Sequence, residues 1–178
     1  MGAMVLDWFD NAPRRVLAAV SLACIAMLGF GLYLQHVVGL EPCPMCIVQR
    51  YAFILIAIVC GVAAAFRSRG AWVTAGALMV LLSGFGGFVA ARQSWLQWYP
   101  PEVVSCGRDF YGMIETFPLK RAIPMIFKGS GDCTKVDWTF LGGSIANWSF
   151  LWFCLFLVVG LLMVARQLRR GAPRLAAA

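Results

Sequence analysis

Four long apolar segments run along the chain, each bounded by charged or polar residues. Three contain no charged residue for 19 to 21 positions, at 16–34, 71–91 and 145–165. The uncharged part of the second segment has only 16 residues, but extending it back to give 43–66 yields 24 residues and includes Gln49 and Arg50. At about 1.5 Å rise per residue, 24 residues cover about 36 Å, more than the roughly 30 Å core of a bilayer. The pattern therefore predicts four transmembrane helices, the second polar at its start.

The first apolar segment is predicted to be a membrane anchor. It is longer than the roughly 7–15 apolar residues of a cleaved signal sequence, and the QHVV that follows at 35–38 offers no small-x-small cleavage site. In the third segment, Ser83 and the glycines up to position 87 predict close approach of a neighbouring helix. We expect one all-α membrane domain over residues 1–178, a bundle with connecting loops at 35–42 and 93–144.

Composition agrees with a membrane protein and excludes several other classes. Hydrophobic residues make up 61% of the 178 residues and charged residues only 13%, whereas soluble domains average about 45–50% and about 25%. A disordered tail, a coiled coil and a typical cytosolic enzyme are therefore excluded.

The basic residues predict the orientation of the bundle. Eight of the 15 Lys and Arg residues lie in the N-terminal tail, the turn after the second segment and the C-terminal tail. The loop 35–42 has none, and the loop 93–144 has five basic and five acidic residues. By the positive-inside rule, both termini face the cytoplasm and both loops face outward. The net charge of +7 thus reflects topology, and no basic stripe supports nucleic-acid binding.

The seven cysteines divide by this topology into two groups. Three lie inside predicted helices, where buried thiols behave as small hydrophobes: Cys24, Cys60 and Cys154. Four lie on the outward side: Cys43, Cys46, Cys106 and Cys133. An even number of thiols on an oxidising face predicts two disulfides, and structural staples remain one interpretation of them.

The motif Cys43-Pro44-Met45-Cys46 favours redox chemistry over a staple. A ring closed over two intervening residues gains little loop entropy, so it stabilises poorly. Its position at a helix N-terminus favours a thiolate, and Pro44 suits a first helical turn. No second close cysteine pair completes a zinc site, no histidine follows Cys46 as c-type haem requires, and strands for a thioredoxin fold are missing.

Arg50 is the second candidate for chemistry. It lies four residues after Cys46 and seven after Cys43, so on a helix the three would share one stripe. One interpretation is an arginine that snorkels to the headgroups. The other is a fixed cation that stabilises a thiolate and an anion forming on a neighbouring acceptor. Only a lipid-soluble acceptor reaches this depth from within the bilayer.

These features resemble the disulfide bond formation protein B (DsbB) family of bacterial inner-membrane quinone reductases. The resemblance rests on Gln35-His36 before CPMCIVQR at 43–50, WLQWYP at 95–100 leading to Cys106, SGDC at 130–133 and WTFLG at 138–142. It covers most of the chain and implies four helices with both termini in the cytoplasm.

The resemblance also implies a mechanism and its participants. A reduced periplasmic thioredoxin-like oxidase of the DsbA type would attack the second-loop disulfide at Cys106, and Cys133 would exchange with Cys43. Electrons would then pass from Cys46 to ubiquinone, or to menaquinone instead. The residues implied at the quinone are Arg50, Cys46, Gln35, His36 and Gln93. No metal is implied, and the segment 117–127, which mixes apolar residues with cations, is expected on the membrane surface.

Three other functions stay open at the level of sequence. A vitamin-K-epoxide-reductase-like enzyme performs similar thiol–quinone chemistry, but with its Cys-x-x-Cys on a late span. A membrane scaffold or small transporter would use disulfides only as staples. A metal-uptake protein would use Cys43 and Cys46 as soft ligands.

Overall fold

The computed structural model describes residues 9–100, 131–134 and 136–170. Four long helices are apolar enough to cross a membrane. They are α1 (Pro13–His36), α2 (Pro44–Ala65), α3 (Arg69–Trp98) and α5 (Ile145–Arg169). The smaller elements are α4 (Gly131–Thr134), β1 (Thr139–Phe140) and β2 (Gly143–Ser144). The prediction of a four-helix membrane bundle is confirmed.

The helix ends differ from the ends of the predicted spans. A charged residue ends an apolar segment, but helical backbone can continue past it. The third helix continues seven residues past Ala91 to Trp98, and so carries Arg92 and Gln93 on helical backbone. The second helix begins at Pro44, with Cys43 as its N-cap in an extended conformation (φ −67°, ψ 161°). Proline at this position loses no hydrogen bond, since the first-turn N–H groups have no helical partner.

Small residues allow α3 and α5, the most extensively packed pair of helices, to approach closely. A Cβ added at Gly76 would lie 3.3 Å from the carbonyl oxygen of Gly160, and one added at Gly160 would lie 3.0 Å from that of Gly76. Further along the crossing, Gly86 faces the fully buried ring of Phe153. The small residues of the third span therefore have the packing role that the sequence predicts.

Aromatic side chains form the core between α2 and α5. Phe153 stacks on Phe53 of α2, with ring centroids 4.2 Å apart and an interplanar angle of 8°. Phe156 meets the same ring edge-on at 6.3 Å. These contacts join α5 to α2, while α2 packs directly between α1 and α3.

Basic residues gather at one end of the bundle, as the charge pattern indicates. Arg14 Nε donates to the carbonyl oxygen of Ala64 at 2.7 Å, which joins the start of α1 to the end of α2. Arg166 near the end of α5 forms an ion pair with Asp10 at 3.0 Å. Cys43, at the start of α2, lies at the opposite end.

A two-stranded hairpin, which the sequence did not predict, precedes α5. Thr139 pairs with Ser144 and Phe140 pairs with Gly143. The turn residues Leu141 and Gly142 both have positive φ (50° and 79°), as a type I′ turn requires. Leucine is rare in that conformation, so the turn carries no common sequence signature. Its function in the fold is to hold Phe140 beside the start of α5.

Candidate active site: a dithiol beside an aromatic cavity

The two cysteines of the Cys-x-x-Cys motif lie together at the start of α2. Cys43 Sγ accepts a hydrogen bond from the backbone N–H of Cys46 at 3.3 Å and so caps the helix with its own side chain. The two sulfurs are 2.8 Å apart and are not bonded to each other. Cys43 is buried and Cys46 is partly exposed. The motif is therefore a dithiol in which one sulfur is more accessible than the other.

A glutamine of α3 contacts the dithiol, and a second glutamine, from α2, is hydrogen-bonded to the first. Gln93 Nε2 lies 3.3 Å from Cys43 Sγ and 3.2 Å from Cys46 Sγ, within donor distance of both. Its Oε1 accepts from Gln49 Nε2 at 2.7 Å and from the Cys46 thiol at 3.7 Å. Each glutamine is only 3% exposed. The extension of α3 beyond the predicted span is what brings Gln93 to this level.

A third cysteine joins the pair. Cys133, on the short helix α4, is fully buried, and its side chain is hydrogen-bonded to Cys43. That bond, the bond with Cys46 and burial together hold the pKa of Cys43 well above its ordinary value. Burial acts in this direction because it disfavours the charged thiolate. Cys43 is thus held as a protonated thiol between the other two.

A cavity of about 700 Å³ opens on the other side of Cys46. Its walls come from α1, α2, the hairpin and the start of α5, and most of the lining is apolar. Six aromatic residues contribute to it: Phe30, Phe53, Trp138, Phe140, Trp148 and Trp152. The volume lies within the range of about 300–1,000 Å³ typical of small-molecule sites. Such a cavity suits a flat, apolar ring.

The polar part of the cavity is formed around Arg50. The guanidinium group donates through Nη1 to Gln35 Oε1 and through Nη2 to the carbonyl oxygen of Gly31 at 3.1 Å. Both partners lie on α1 and also line the cavity. These bonds orient the cation and use two of its five N–H donors. Arg50 is therefore a fixed positive charge in the cavity that contains Cys46.

The predicted stripe of three residues on α2 is only partly realised. Cys46 and Arg50 line the cavity, but Cys43 does not. The reason is that Cys43 is the N-cap and has extended backbone, so helical spacing does not apply to it. Cys43 instead lies beside Gln93 and Cys133.

The remaining site residues predicted from the sequence lie in different parts of the structure. Gln35 lines the cavity, whereas the adjacent His36 is exposed and is not part of the cavity lining. Gln93 contacts the sulfurs and is likewise outside that lining. Cys106 and the segment 117–127 lie outside the described residues.

Comparison with known proteins places the chain in a family. The family model described as "Disulfide bond formation protein DsbB" matches residues 13–163. The disulfide bond formation protein B of Polaromonas sp. (strain JS666) is 74% identical over 167 residues, covering 94% of this chain and 99% of that protein. Its namesake in Acidovorax sp. (strain JS42) is 68% identical over 169 residues, covering 95% and 97%. The chain belongs to the DsbB family.

Membership in the DsbB family identifies the chain as a membrane oxidoreductase of disulfide bond formation. In this DsbB-family chain, sequence reasoning missed two parts of the site. Gln49 was noted only as a polar residue in a span, although a buried amide in an apolar segment is itself a signal, because it needs a partner. Trp138 and Trp148 carry the signal of interfacial aromatics, and their place on the cavity wall depends on the hairpin.

Proposed function

We propose that this DsbB-family protein reoxidises a periplasmic thioredoxin-fold dithiol oxidase of the DsbA type and passes the two electrons to ubiquinone. One observation carries the proposal. Cys46 belongs both to the dithiol and to the wall of an aromatic cavity that contains a fixed cation, Arg50. The dithiol is thereby connected to a site of the right size and polarity for a quinone ring.

We place the chain in the bacterial inner membrane as a single multi-pass domain, with the arginine-rich end in the cytoplasm. The dithiol end would then face the periplasm, where disulfides persist and a soluble partner has access. The grouping of basic residues at the end opposite Cys43 supports this orientation.

The thiol relay begins at the second loop. A thiolate of the reduced partner attacks the Cys106–Cys133 disulfide at Cys106, forming a mixed disulfide and releasing Cys133 as a thiolate. Cys133 then attacks the Cys43–Cys46 disulfide at Cys43 and releases Cys46. Attack by the second partner thiol on the mixed disulfide completes the partner's oxidation and releases Cys106, which reforms its bond with Cys133 and frees Cys43. The contact between Cys133 and Cys43 supports this order.

The residues around the cavity fit a quinone. When bound, a quinone supplies an acceptor for two electrons and two protons, the number released when two thiols become one disulfide. The aromatic side chains of the cavity would bind its ring and exclude water. Arg50 stabilises negative charge that develops on a ligand oxygen, and Gln35 holds the guanidinium in place. Cys46 is the sulfur on the cavity wall, and Cys43, which lies outside the cavity, would close the disulfide with it.

The test uses purified protein in detergent with ubiquinone and a reduced thioredoxin-fold dithiol protein. We expect quinone absorbance to fall with the wild-type protein and to stay constant with Cys46→Ser. Arg50→Gln should slow the reaction about a hundredfold, the size typical of losing one preorganised donor. Arg92→Gln is the matched control, since Arg92 lies near the dithiol end but does not line the cavity.

Two results would contradict the proposal. A wild-type protein that leaves the quinone unchanged while its cysteines remain oxidised would indicate a disulfide-stapled scaffold. Equal losses in Arg50→Gln and Arg92→Gln would show that the cavity cation has no special part in the reaction.

A further inference from the structure

The amide of Gln93 can face the two sulfurs in two orientations, which differ by a half-turn that exchanges its nitrogen and its oxygen. Its nitrogen is a double donor and its oxygen is an acceptor. In the observed orientation, Nε2 lies 3.3 Å from Cys43 Sγ and 3.2 Å from Cys46 Sγ. The oxygen Oε1 lies 3.7 Å from Cys46 Sγ, so the nitrogen is the nearer of the two amide groups to that sulfur. The opposite orientation would present an oxygen, which repels a thiolate.

Gln49 favours the observed orientation of Gln93. Its Nε2 donates to Gln93 Oε1 at 2.7 Å, which turns the nitrogen of Gln93 toward the sulfurs. If Gln93 alone rotated by half a turn, two NH₂ groups would face each other. Both side chains are 3% exposed, so solvent has little access to compensate for that loss.

We propose that Gln49 is a positioning residue for the dithiol, acting through Gln93. By fixing the amide of Gln93, it keeps two N–H donors directed at the sulfurs and so favours the thiolate form of Cys46 that reacts. Charge-assisted hydrogen bonds of this kind are stronger than neutral ones. The inference rests on the proposed function in assigning reactivity to the Cys46 thiolate, and it adds a residue that touches neither sulfur.

The experiment measures alkylation of Cys46 by iodoacetamide in the fully reduced protein, without quinone or partner. Mass spectrometry of the Cys46 peptide gives the rate between about pH 6 and pH 9. Gln49→Met removes the donor and keeps the length of the side chain, and Gln49→Leu serves as a second variant. We expect the rate near pH 7 to fall about five- to tenfold, the effect of losing about one hydrogen bond. At high pH the rates should converge with the wild-type rate, since the thiolate then forms in every variant.

A double-mutant cycle separates positioning from structural damage. Gln93→Met should slow alkylation at least as much as Gln49→Met, and adding Gln49→Met to it should change nothing further. Gln167→Leu is the matched control, because Gln167 is also a buried glutamine (2% exposed) that donates from Nε2, here to the carbonyl oxygen of Phe9 at the far end of the bundle. Its pH profile should be that of the wild type.

The inference is overturned if both Gln49 variants leave the pH profile unchanged, or if the two losses add in the double mutant. A rate change of equal size at every pH would show altered access and would also overturn it. The alkylation assay contains neither quinone nor partner protein. Its outcome therefore does not depend on whether the wild-type protein reduces quinone, and the two proposals can fail separately.

Discussion

The crossing of α3 and α5 offers a direct test of how packing supports the cavity. Gly86 of α3 lies against Phe153, whose ring stacks on Phe53, and Phe53 lines the cavity. The perturbation is Gly86→Ala, which adds a single methyl group. Its Cβ would overlap two carbon atoms of the Phe153 ring, Cε1 and Cζ. Because Phe153 is fully buried and stacked, the ring cannot move aside cheaply.

The magnitude follows from comparison with the adjacent glycine. At Gly87, an added Cβ would lie 3.5 Å from Phe153 Cβ, an ordinary contact. Both substitutions gain the same helix propensity, about 1 kcal/mol for glycine to alanine. Overpacking costs about 1–3 kcal/mol and applies only to Gly86→Ala. The difference between the two variants in free energy of unfolding should therefore be about 1–3 kcal/mol.

Thermal unfolding in detergent, followed by circular dichroism, measures this difference. For a chain of this size, 1 kcal/mol shifts Tm by about 2–4 °C, so Gly86→Ala should melt roughly 2–12 °C below Gly87→Ala. Displacement of the Phe153–Phe53 stack should also weaken quinone binding in Gly86→Ala alone. Equal melting temperatures, or a more stable Gly86→Ala, would refute the packing argument.

Three further predictions concern the ends of the bundle. Hydrogen bonding within the cysteine cluster and burial raise the pKa of Cys43, so its thiol stays protonated at about pH 8. In the reduced protein, iodoacetamide should therefore label Cys46 well before Cys43, and equal labelling rates would contradict this. Gly142→Ala places a side chain at φ 79° and should lower the free energy of unfolding by about 1 kcal/mol, measured as a fall in Tm. Asp10→Asn removes the ion pairs with Arg166 and Arg170 and should cost under about 1 kcal/mol, an effect that disappears in high salt; a loss that salt does not change would point to packing.

The sequence by itself determines the four helices and the location of the reactive pair. Uncharged segments of about 20 residues identify spans because burying a charge in hydrocarbon is costly, and this cost depends only on local composition. The start of α2 is similarly local, since Pro44 and the side chain of Cys43 are both suited to a helix N-terminus. The placement of Arg50 on the same face as Cys46 follows from helical spacing alone.

The tertiary structure decides which side chains complete the site. Gln49 and Gln93 are 44 residues apart, and their contact depends on how α2 and α3 are rotated against each other. The aromatic wall likewise requires the hairpin turn at Leu141 and Gly142, which has no common signature. Spacing along one helix is fixed by the hydrogen-bond geometry of the backbone. The rotation of one helix against another depends on how many side chains from both helices pack together, and no single segment of the sequence carries that information.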